Sequence, residues 1–485
     1  GLMTGNETAP PSPDVPAARP GGDVRALNRE LSNRHIQLIA IGGAIGTGLF
    51  MGSGKAISLA GPSLLLAYLI IGLMLFFVMR AMGEMFLHDL RFKSFQDFSR
   101  EMIGPWAGFF TGWTYWVLWV VTAAAEMIAI IGYFDFWIGN LNVSMICTAA
   151  LLLALLGSNL LTVKLFGELE FWFALIKIIA IIALILVGAY MVTTGFTSPD
   201  GTVASVTYLW SHGGVFPTGL TGFLAAFQLA IFSFIGTELI GTAAAETADP
   251  HKTLPKAINA IPVRIIIFYV LALAAIMAVT PWDRVSPEMS PFVNVFNLAG
   301  LVAAASVMNF VVLTSASSSS NSGIFSTSRM LYGLADTGYA SKRFARLSGR
   351  HVPANALVLS GALVFIAFPV LKIGGTVMRA FQLISSVSSI LVLFIWSLIM
   401  VAYIMYRRKF PQAHAQASFR VPGAVFMPWV VLVFFLGMIA ILALDEETRV
   451  ALVLTPLWFI ALAVVWRLRF AGRPAVVKTP AAAAD

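Results

Sequence analysis

The chain has 485 residues, of which 59% are hydrophobic and only 11% are charged, and its mean hydropathy is +0.86. Water-soluble domains carry about 25% charged residues, so the composition indicates a polytopic membrane protein in a lipid bilayer. The single cysteine, Cys147, excludes an intrachain disulfide. The formal net charge of +8 follows a pattern typical of membrane topology, described below, so we expect no nucleic-acid partner.

Both ends of the chain differ from the rest. Residues 1–30 are rich in Pro, Gly, Ala and Ser without periodicity, and residues 471–485 have a similar composition. This predicts two disordered tails around one membrane domain at 31–470.

The membrane domain contains twelve apolar runs that are long enough to cross a bilayer. They lie at about 36–59, 62–87, 106–137, 142–162, 168–194, 218–245, 261–280, 293–317, 355–371, 376–406, 424–443 and 449–468. Run eight is expected to continue as a polar helix through Ser315–Asn321 towards Leu334, with its hydroxyl groups facing the protein interior.

An even number of runs places both termini on the same side of the membrane. Of the 31 Lys and Arg residues, 25 fall on the side of the termini, five fall on the other side, and Lys177 lies within run five. Cytoplasmic loops are enriched in Lys and Arg, so both termini are predicted to be cytoplasmic.

Run one contains four glycines in seven residues, from Gly42 to Gly48. Each glycine costs roughly 1 kcal/mol relative to Ala in a helix interior, so this stretch predicts a discontinuous helix. Broken backbone is tolerated in a membrane only where it is buried in protein or lines a wet cavity. Free N–H groups at the start of a half-helix favour an anion such as a carboxylate. Close packing between helices is the alternative explanation for the small residues.

A short internal sequence repeat favours ligand binding, rather than close packing, as the reason for these glycines. Ile45-Gly46-Thr47-Gly48 in run one returns as Ile235-Gly236-Thr237-Glu238 in run six. These segments correspond if runs one to five (31–195) and six to ten (215–408) are two repeats, with the last two helices at 420–470. Repeats of five helices must be inverted, and paired interruptions predict a site between them near the midplane.

Three ionisable residues lie deep in the runs: Glu126, Lys177 and Glu238. Such groups are costly in a membrane and indicate function. The alternatives are a neutral buried acid for Glu126, a snorkelling side chain for Lys177 and a charge at a wet vestibule for Glu238. Glu84 and Glu246 lie nearer to helix ends, where we expect interfacial water or basic loops.

The sequence shows no motif typical of the active site of a soluble enzyme. The six histidines are scattered in tails and loops, so we expect no metal site. Gly46 and Gly48 lack the preceding strand that a dinucleotide-binding motif needs, so no cofactor is predicted. We therefore do not expect an enzyme.

Several segments resemble the amino acid permeases of the amino acid–polyamine–organocation superfamily. They are Glu30–Phe50, the stretch from Ala60-Gly61-Pro62 to Gly83-Glu84, and Phe232–Glu238. The resemblance covers about residues 25–470. It implies a bacterial cytoplasmic-membrane importer coupled to protons, with an inverted 5+5 repeat, two extra helices and discontinuous helices one and six.

Other segments are similar to those of permeases for small neutral amino acids, namely 109–116, 170–174, 321–330 and 455–462. These imply D-serine, D-alanine and glycine as substrates, and also D-cycloserine, moved by alternating access. The alternatives are aromatic amino acids, proline or 4-aminobutyrate within the family, and an integral-membrane enzyme or a channel outside it. The sequence does not predict the oligomeric state.

The resemblance also implies roles for individual residues. Ile45, Gly46, Thr47 and Gly48 would hold the substrate α-carboxylate. Phe232, Ser233 and Phe234 would bind the α-amino group through their carbonyls, and Glu126 and Glu238 would line the cavity. Phe234 and Trp119 are the predicted bulky walls for a small substrate.

Lys177 would occupy the place at which sodium-coupled relatives bind an ion. Burial disfavours the charged form of an amine, so Lys177 is expected to carry or gate the proton, with Glu126 and Glu238 as rival carriers. Its ammonium is expected to contact carbonyls at the run-one break and hydroxyls of run eight such as Ser317 or Ser318.

Overall fold

The computed structural model describes residues 45–92, 94–161, 163–239 and 249–472, without the side chains of 163, 164, 166 and 262–265. In these ranges the regular secondary structure is helical, and the β-structure is limited to one isolated bridge between Thr197 and Val203. Eleven of the described helical stretches are long and apolar enough to cross a membrane. The prediction of an all-α polytopic membrane protein is confirmed. The predicted tail 1–30, Gly42, Gly43, Glu246 and positions 473–485 lie outside the described residues.

We number the α-helices in chain order. They are α1 Thr47–Phe50, α2 Gly52–Ala60, α3 Leu64–His88, α4 Phe95–Met102, α5 Pro105–Ile138, α6 Leu141–Leu161, α7 Val163–Thr194, α8 Gly219–Ala225, α9 Phe227–Ser233, α10 Pro250–Val279, α11 Pro291–Leu298, α12 Val302–Asp336, α13 Ala354–Val364, α14 Ala367–Gly374, α15 Val377–Lys409, α16 Pro411–Gln416, α17 Met427–Ile441 and α18 Glu446–Val465.

The predicted twelve runs and the eleven observed stretches differ at the start of the chain. The single stretch Gly52–His88 holds the described end of run one together with all of run two. The chain turns within it at Gly61, whose φ of +64° is a conformation that glycine adopts without a steric penalty. The two runs are therefore joined by three residues, Gly61–Ser63, without a loop.

Run eight starts later than the sequence predicts. The segment Pro291–Leu298 is a separate helix, α11, and Gly300 has a φ of +76°. A left-handed glycine ends a helix, so the predicted start at 293 is wrong and α12 begins at Val302. The predicted polar extension is confirmed, because α12 continues to Asp336 and its residues from Ser315 to Asn321 are buried.

The centre of the bundle is formed by α5, which packs most extensively against α12 and α15. Hydroxyl groups can line this interior because they bond to carbonyls of their own helix. Ser317 Oγ donates to Leu313 O at 2.9 Å, for example. Such bonds satisfy polar groups without water. Outer helices instead expose large apolar side chains, such as Leu153 on α6, Val433 on α17 and Val453 on α18, as lipid contact requires.

Candidate functional site

Gly46 and Gly48 of run one lie against three other helices, α5, α9 and α12. Gly46 is extended, with a φ of −138°, and caps the N-terminus of α1. A Cβ atom at Gly46 would lie 2.7 Å from Ser319 Oγ and 3.0 Å from Glu126 Oε1. A Cβ at Gly48 would lie 2.7 Å from Ser233 Cα. Close packing, rather than backbone conformation, therefore favours glycine at both positions, most strictly at Gly48, whose neighbour is a backbone atom.

The sixth run is interrupted opposite this point. Helix α9 ends at Ser233, residues 234–236 form a turn, and Gly236 has a φ of +107°. Tyr269 Oη donates to Ser233 O at 2.6 Å and so fixes the helix end. The start of α1 and the interruption of run six therefore meet in the protein interior, where the repeat between runs one and six predicts a site.

A small cavity with a solvent-accessible volume of about 10 Å³ lies between the start of α1 and the turn in run six. Its walls include six predicted site residues, namely Gly46, Gly48, Trp119, Glu126, Phe232 and Ser233. Thr122, Ile235 and Ser319 complete the wall and were not predicted as site residues. Ser319 belongs to the polar stretch of run eight, so the density of hydroxyls there was a signal that could have identified it.

Glu126 is the ionisable side chain on this cavity wall. It is 3% exposed, and its Oε2 atom has no hydrogen-bond partner among the described residues. A buried carboxylate oxygen without a partner is costly. The position therefore favours a cationic or hydrogen-bond-donating ligand inside the cavity.

The carbonyls that were predicted to bind the amino group are largely engaged within the protein. Phe232 O accepts from Ile235 N at 3.2 Å. Phe234 O accepts from Thr237 N at 3.2 Å and from Thr237 Oγ1 at 2.7 Å, which uses both lone pairs of that oxygen. Glu126 is consequently a better partner for an amino group than Phe234.

Phe234 and Glu238 lie outside the cavity lining. The Phe234 ring packs against Tyr68 and Tyr269, at centroid distances of 5.7 and 5.4 Å. The Glu238 carboxylate accepts from Tyr115 Oη at 3.1 Å and from Trp396 Nε1 at 3.3 Å. The expectations that Phe234 walls the pocket and that Glu238 lines it are not met, because aromatic partners hold both side chains behind the wall.

Lys177 is fully buried and contacts the run-one break. Its Nζ atom donates to Ile45 O at 2.6 Å, and Ser315 Oγ donates to the same oxygen at 3.3 Å. The predicted contact between this ammonium and a run-one carbonyl is present. Ser317 Oγ donates within its own helix and Ser318 Oγ donates to Glu170 Oε2 at 2.9 Å.

Glu170 is a buried carboxylate that is not among the predicted site residues. It lies two turns before Lys177 on α7 and is fully buried. Asn321 Nδ2, Ser318 Oγ and Ser322 Oγ on α12 all donate to it. Glu170 therefore joins α7 to α12 beside Lys177.

Protein, rather than interfacial water, surrounds Glu84. It is 1% exposed and accepts from Tyr403 Oη at 2.9 Å, and His414 Nδ1 lies 2.8 Å from its Oε2 atom. The expectation of water is wrong, but the expectation of a basic loop is met, because the segment after α15, which carries His414 and Arg420, folds back over the end of α3 and covers this carboxylate.

Comparison with known proteins identifies the family. The amino acid permease profile matches residues 35–478. A D-serine/D-alanine/glycine transporter of Escherichia coli (strain K12) is 57% identical over 442 residues, which is 91% of this chain and 94% of that protein. The amino-acid permease AapA of Bacillus subtilis (strain 168) is 47% identical over 449 residues, covering 92% of this chain and 96% of the relative. The chain belongs to the amino acid permease family.

Proposed function

We propose that this membrane protein imports small neutral amino acids, namely glycine, D-alanine and D-serine, by alternating access coupled to protons. The substrate class is supported by the E. coli D-serine/D-alanine/glycine transporter, with 57% identity over 91% of the chain. D-cycloserine, a cyclic analogue of a small D-amino acid, is expected to enter by the same route.

The observation that carries this proposal is the unpartnered Glu126 carboxylate oxygen facing the run-one break across the cavity. A zwitterion has an ammonium for Glu126 and a carboxylate for the N–H groups at the start of α1, which have no partner within that helix. The two charges of an amino acid backbone are close together, as are Gly46 and Glu126 here.

The size of the cavity favours small side chains. Its solvent-accessible volume is about 10 Å³, roughly the room that one water molecule needs, so even a small amino acid must widen it and a bulky side chain must widen it much further. Trp119 is 1% exposed and forms part of the wall. Aromatic amino acids would have to displace it, so they are the less favoured substrates. Proline and 4-aminobutyrate are smaller, and the competition experiment below separates them.

The proton is proposed to act through Lys177. Its ammonium donates to Ile45 O, directly before Gly46. Deprotonation would leave the amine a weaker partner for that carbonyl and loosen the backbone that binds the carboxylate. Proton release on the inside would therefore promote substrate release. Glu126 remains a rival carrier because it lines the cavity, and Glu238 because it is fully buried.

We also propose the following arrangement of the membrane helices. It comprises twelve transmembrane helices, an inverted 5+5 repeat over 31–195 and 215–408, two extra helices at 420–470, and termini in the cytoplasm. The excess of Lys and Arg on one side supports this orientation. No cofactor is needed for such a cycle, and the coupling ion is H⁺.

The test is uptake of labelled glycine by proteoliposomes with an imposed pH gradient, acidic outside. We expect saturable accumulation above the external concentration, with competition by D-alanine and D-serine but not by phenylalanine, proline or 4-aminobutyrate. Dissipation of the gradient by a protonophore should abolish accumulation. A flux that neither saturates nor exceeds equilibrium would favour a channel, and chemical conversion of glycine would favour an enzyme.

A further inference from the structure

A second, open pocket with a solvent-accessible volume of about 450 Å³ lies at the end of the bundle where α3, α15 and the segment before α17 meet. Its charged lining consists of Arg80 from α3, Arg407 from α15, and His414 and Arg420 from the connecting segment. This is the side of the membrane that the Lys and Arg excess predicts to be cytoplasmic.

Local contacts fix the arginines in place. Arg80 Nη2 donates to Arg420 O at 2.6 Å, and its Nη1 donates to Asn259 Oδ1 at 3.0 Å. Arg407 Nη1 donates to Ala424 O at 2.7 Å. The acceptors here are neutral oxygens, so these contacts orient the guanidinium groups without neutralising their charge.

The pocket carries excess positive charge. Among the described residues, none of Arg80, Arg407 and Arg420 forms an ion pair with a carboxylate, and the Nε atom of Arg407 is buried without a hydrogen-bond partner. The nearby Glu84 is already bonded to Tyr403 and His414. Three guanidinium groups beside a single carboxylate leave a net positive charge around this concave site, which favours a phosphate-type anion.

An apolar surface continues from the rim of this pocket. Val425, Phe426 and Trp429 are 71%, 60% and 52% exposed, and Val433 on the following turn of α17 is also exposed. Tryptophan is enriched at the headgroup level of membranes. A molecule with an anionic head in the pocket would therefore place its tails along α17, in the hydrocarbon region.

We propose that this basic pocket binds the headgroup of an anionic phospholipid, and that the acyl chains lie along the exposed face of α17. A free phosphate ion would satisfy the arginines but would leave the apolar surface unused. Basic pockets between transmembrane helices are a known type of site for such headgroups. The inference is independent of the substrate and of the proton pathway.

The experiment is native mass spectrometry of the purified full-length chain titrated with phosphatidylglycerol, with phosphatidylcholine as the neutral lipid. The test variants are Arg420→Gln and the double variant Arg407→Gln/Arg420→Gln. The Arg420 side chain donates no hydrogen bond within the described residues, so Arg420→Gln leaves the local contacts intact. The matched control is Arg343→Gln/Arg346→Gln, which removes two exposed arginines on the same predicted side.

We expect the wild type to retain phosphatidylglycerol in preference to phosphatidylcholine. Each arginine near a membrane surface contributes about 1 kcal/mol to anionic lipid binding, so affinity should fall about fivefold in Arg420→Gln and about 25-fold in the double variant. The control should bind as the wild type does. Equal losses in the control, or no preference in the wild type, would overturn the proposal. Thermal stabilisation by inorganic phosphate equal to that by phosphatidylglycerol would overturn the assignment to a lipid.

Discussion

Replacement of Gly46 by alanine tests the proposed carboxylate site with the smallest possible change. The new Cβ atom would lie 2.7 Å from Ser319 Oγ and 3.0 Å from Glu126 Oε1. Both neighbours are ends of side chains that can rotate away, and the extended backbone at Gly46 accepts a side chain. The fold should therefore persist while the cavity wall changes.

The expected magnitudes for folding and for binding differ. Overpacking costs typically about 1–3 kcal/mol, and the low end applies because Ser319 Oγ can move. Loss of one hydrogen bond to a charged group costs about 1.5–3 kcal/mol, which is roughly a 10- to 150-fold loss of glycine affinity. Gly48→Ala should be worse for folding, because its Cβ would lie 2.7 Å from the Cα atom of Ser233.

The assay measures glycine uptake in proteoliposomes and thermal unfolding of the same preparation in detergent. Gly157→Ala is the matched control, since a Cβ atom on this α6 glycine would meet nothing within 4 Å. Gly46→Ala should unfold within a few degrees of the wild type but show an apparent KM raised at least tenfold. Unchanged uptake by a folded Gly46→Ala protein would refute the carboxylate site.

Three further predictions concern other residues of the site. Lys177→Met removes the donor to Ile45 O, so glycine uptake driven by a pH gradient should vanish while glycine exchange at equal pH persists. An unchanged pH profile of uptake would assign the proton to a glutamate. Glu126→Gln should lower glycine affinity roughly 10- to 100-fold by removing the charge that faces the ammonium. Equilibrium binding of labelled glycine measures this, with Glu238→Gln as the control variant, and equal affinities of the two variants would contradict the prediction. Trp119→Phe should admit larger amino acids because Trp119 lines the cavity, whereas Phe234→Ala should mainly lower the free energy of unfolding, by about 3–5 kcal/mol. A competition panel measures the first effect and a thermal unfolding curve the second. Admission of larger substrates by Phe234→Ala but not by Trp119→Phe would show that Phe234 forms the wall.

The membrane helices could be predicted from the sequence because hydrocarbon imposes length and apolarity on each span. The same constraint made the glycines of run one and the buried Lys177 conspicuous. The start of run eight could not be predicted, because both α11 and the first turns of α12 are apolar. Their separation depends on the left-handed Gly300.

Contacts between distant parts of the chain account for the remaining differences. Glu170 is bonded by Ser318, Asn321 and Ser322, about 150 positions later. Glu84 is covered by His414, 330 positions away. Neither pairing has a local signature. The direction of the Phe234 ring likewise depends on Tyr68 and Tyr269, which the order of residues in run six does not reveal.

We propose that the cavity between Gly46 and Glu126 recognises both charged groups of a small amino acid. The most direct measurement is displacement of labelled glycine from the purified protein by three unlabelled compounds. We predict that glycine displaces the label, whereas glycinamide, which lacks the carboxylate, and N-acetylglycine, which lacks the ammonium, do not. Displacement by glycinamide or by N-acetylglycine at the concentration at which glycine acts would show that the cavity does not require both charged groups.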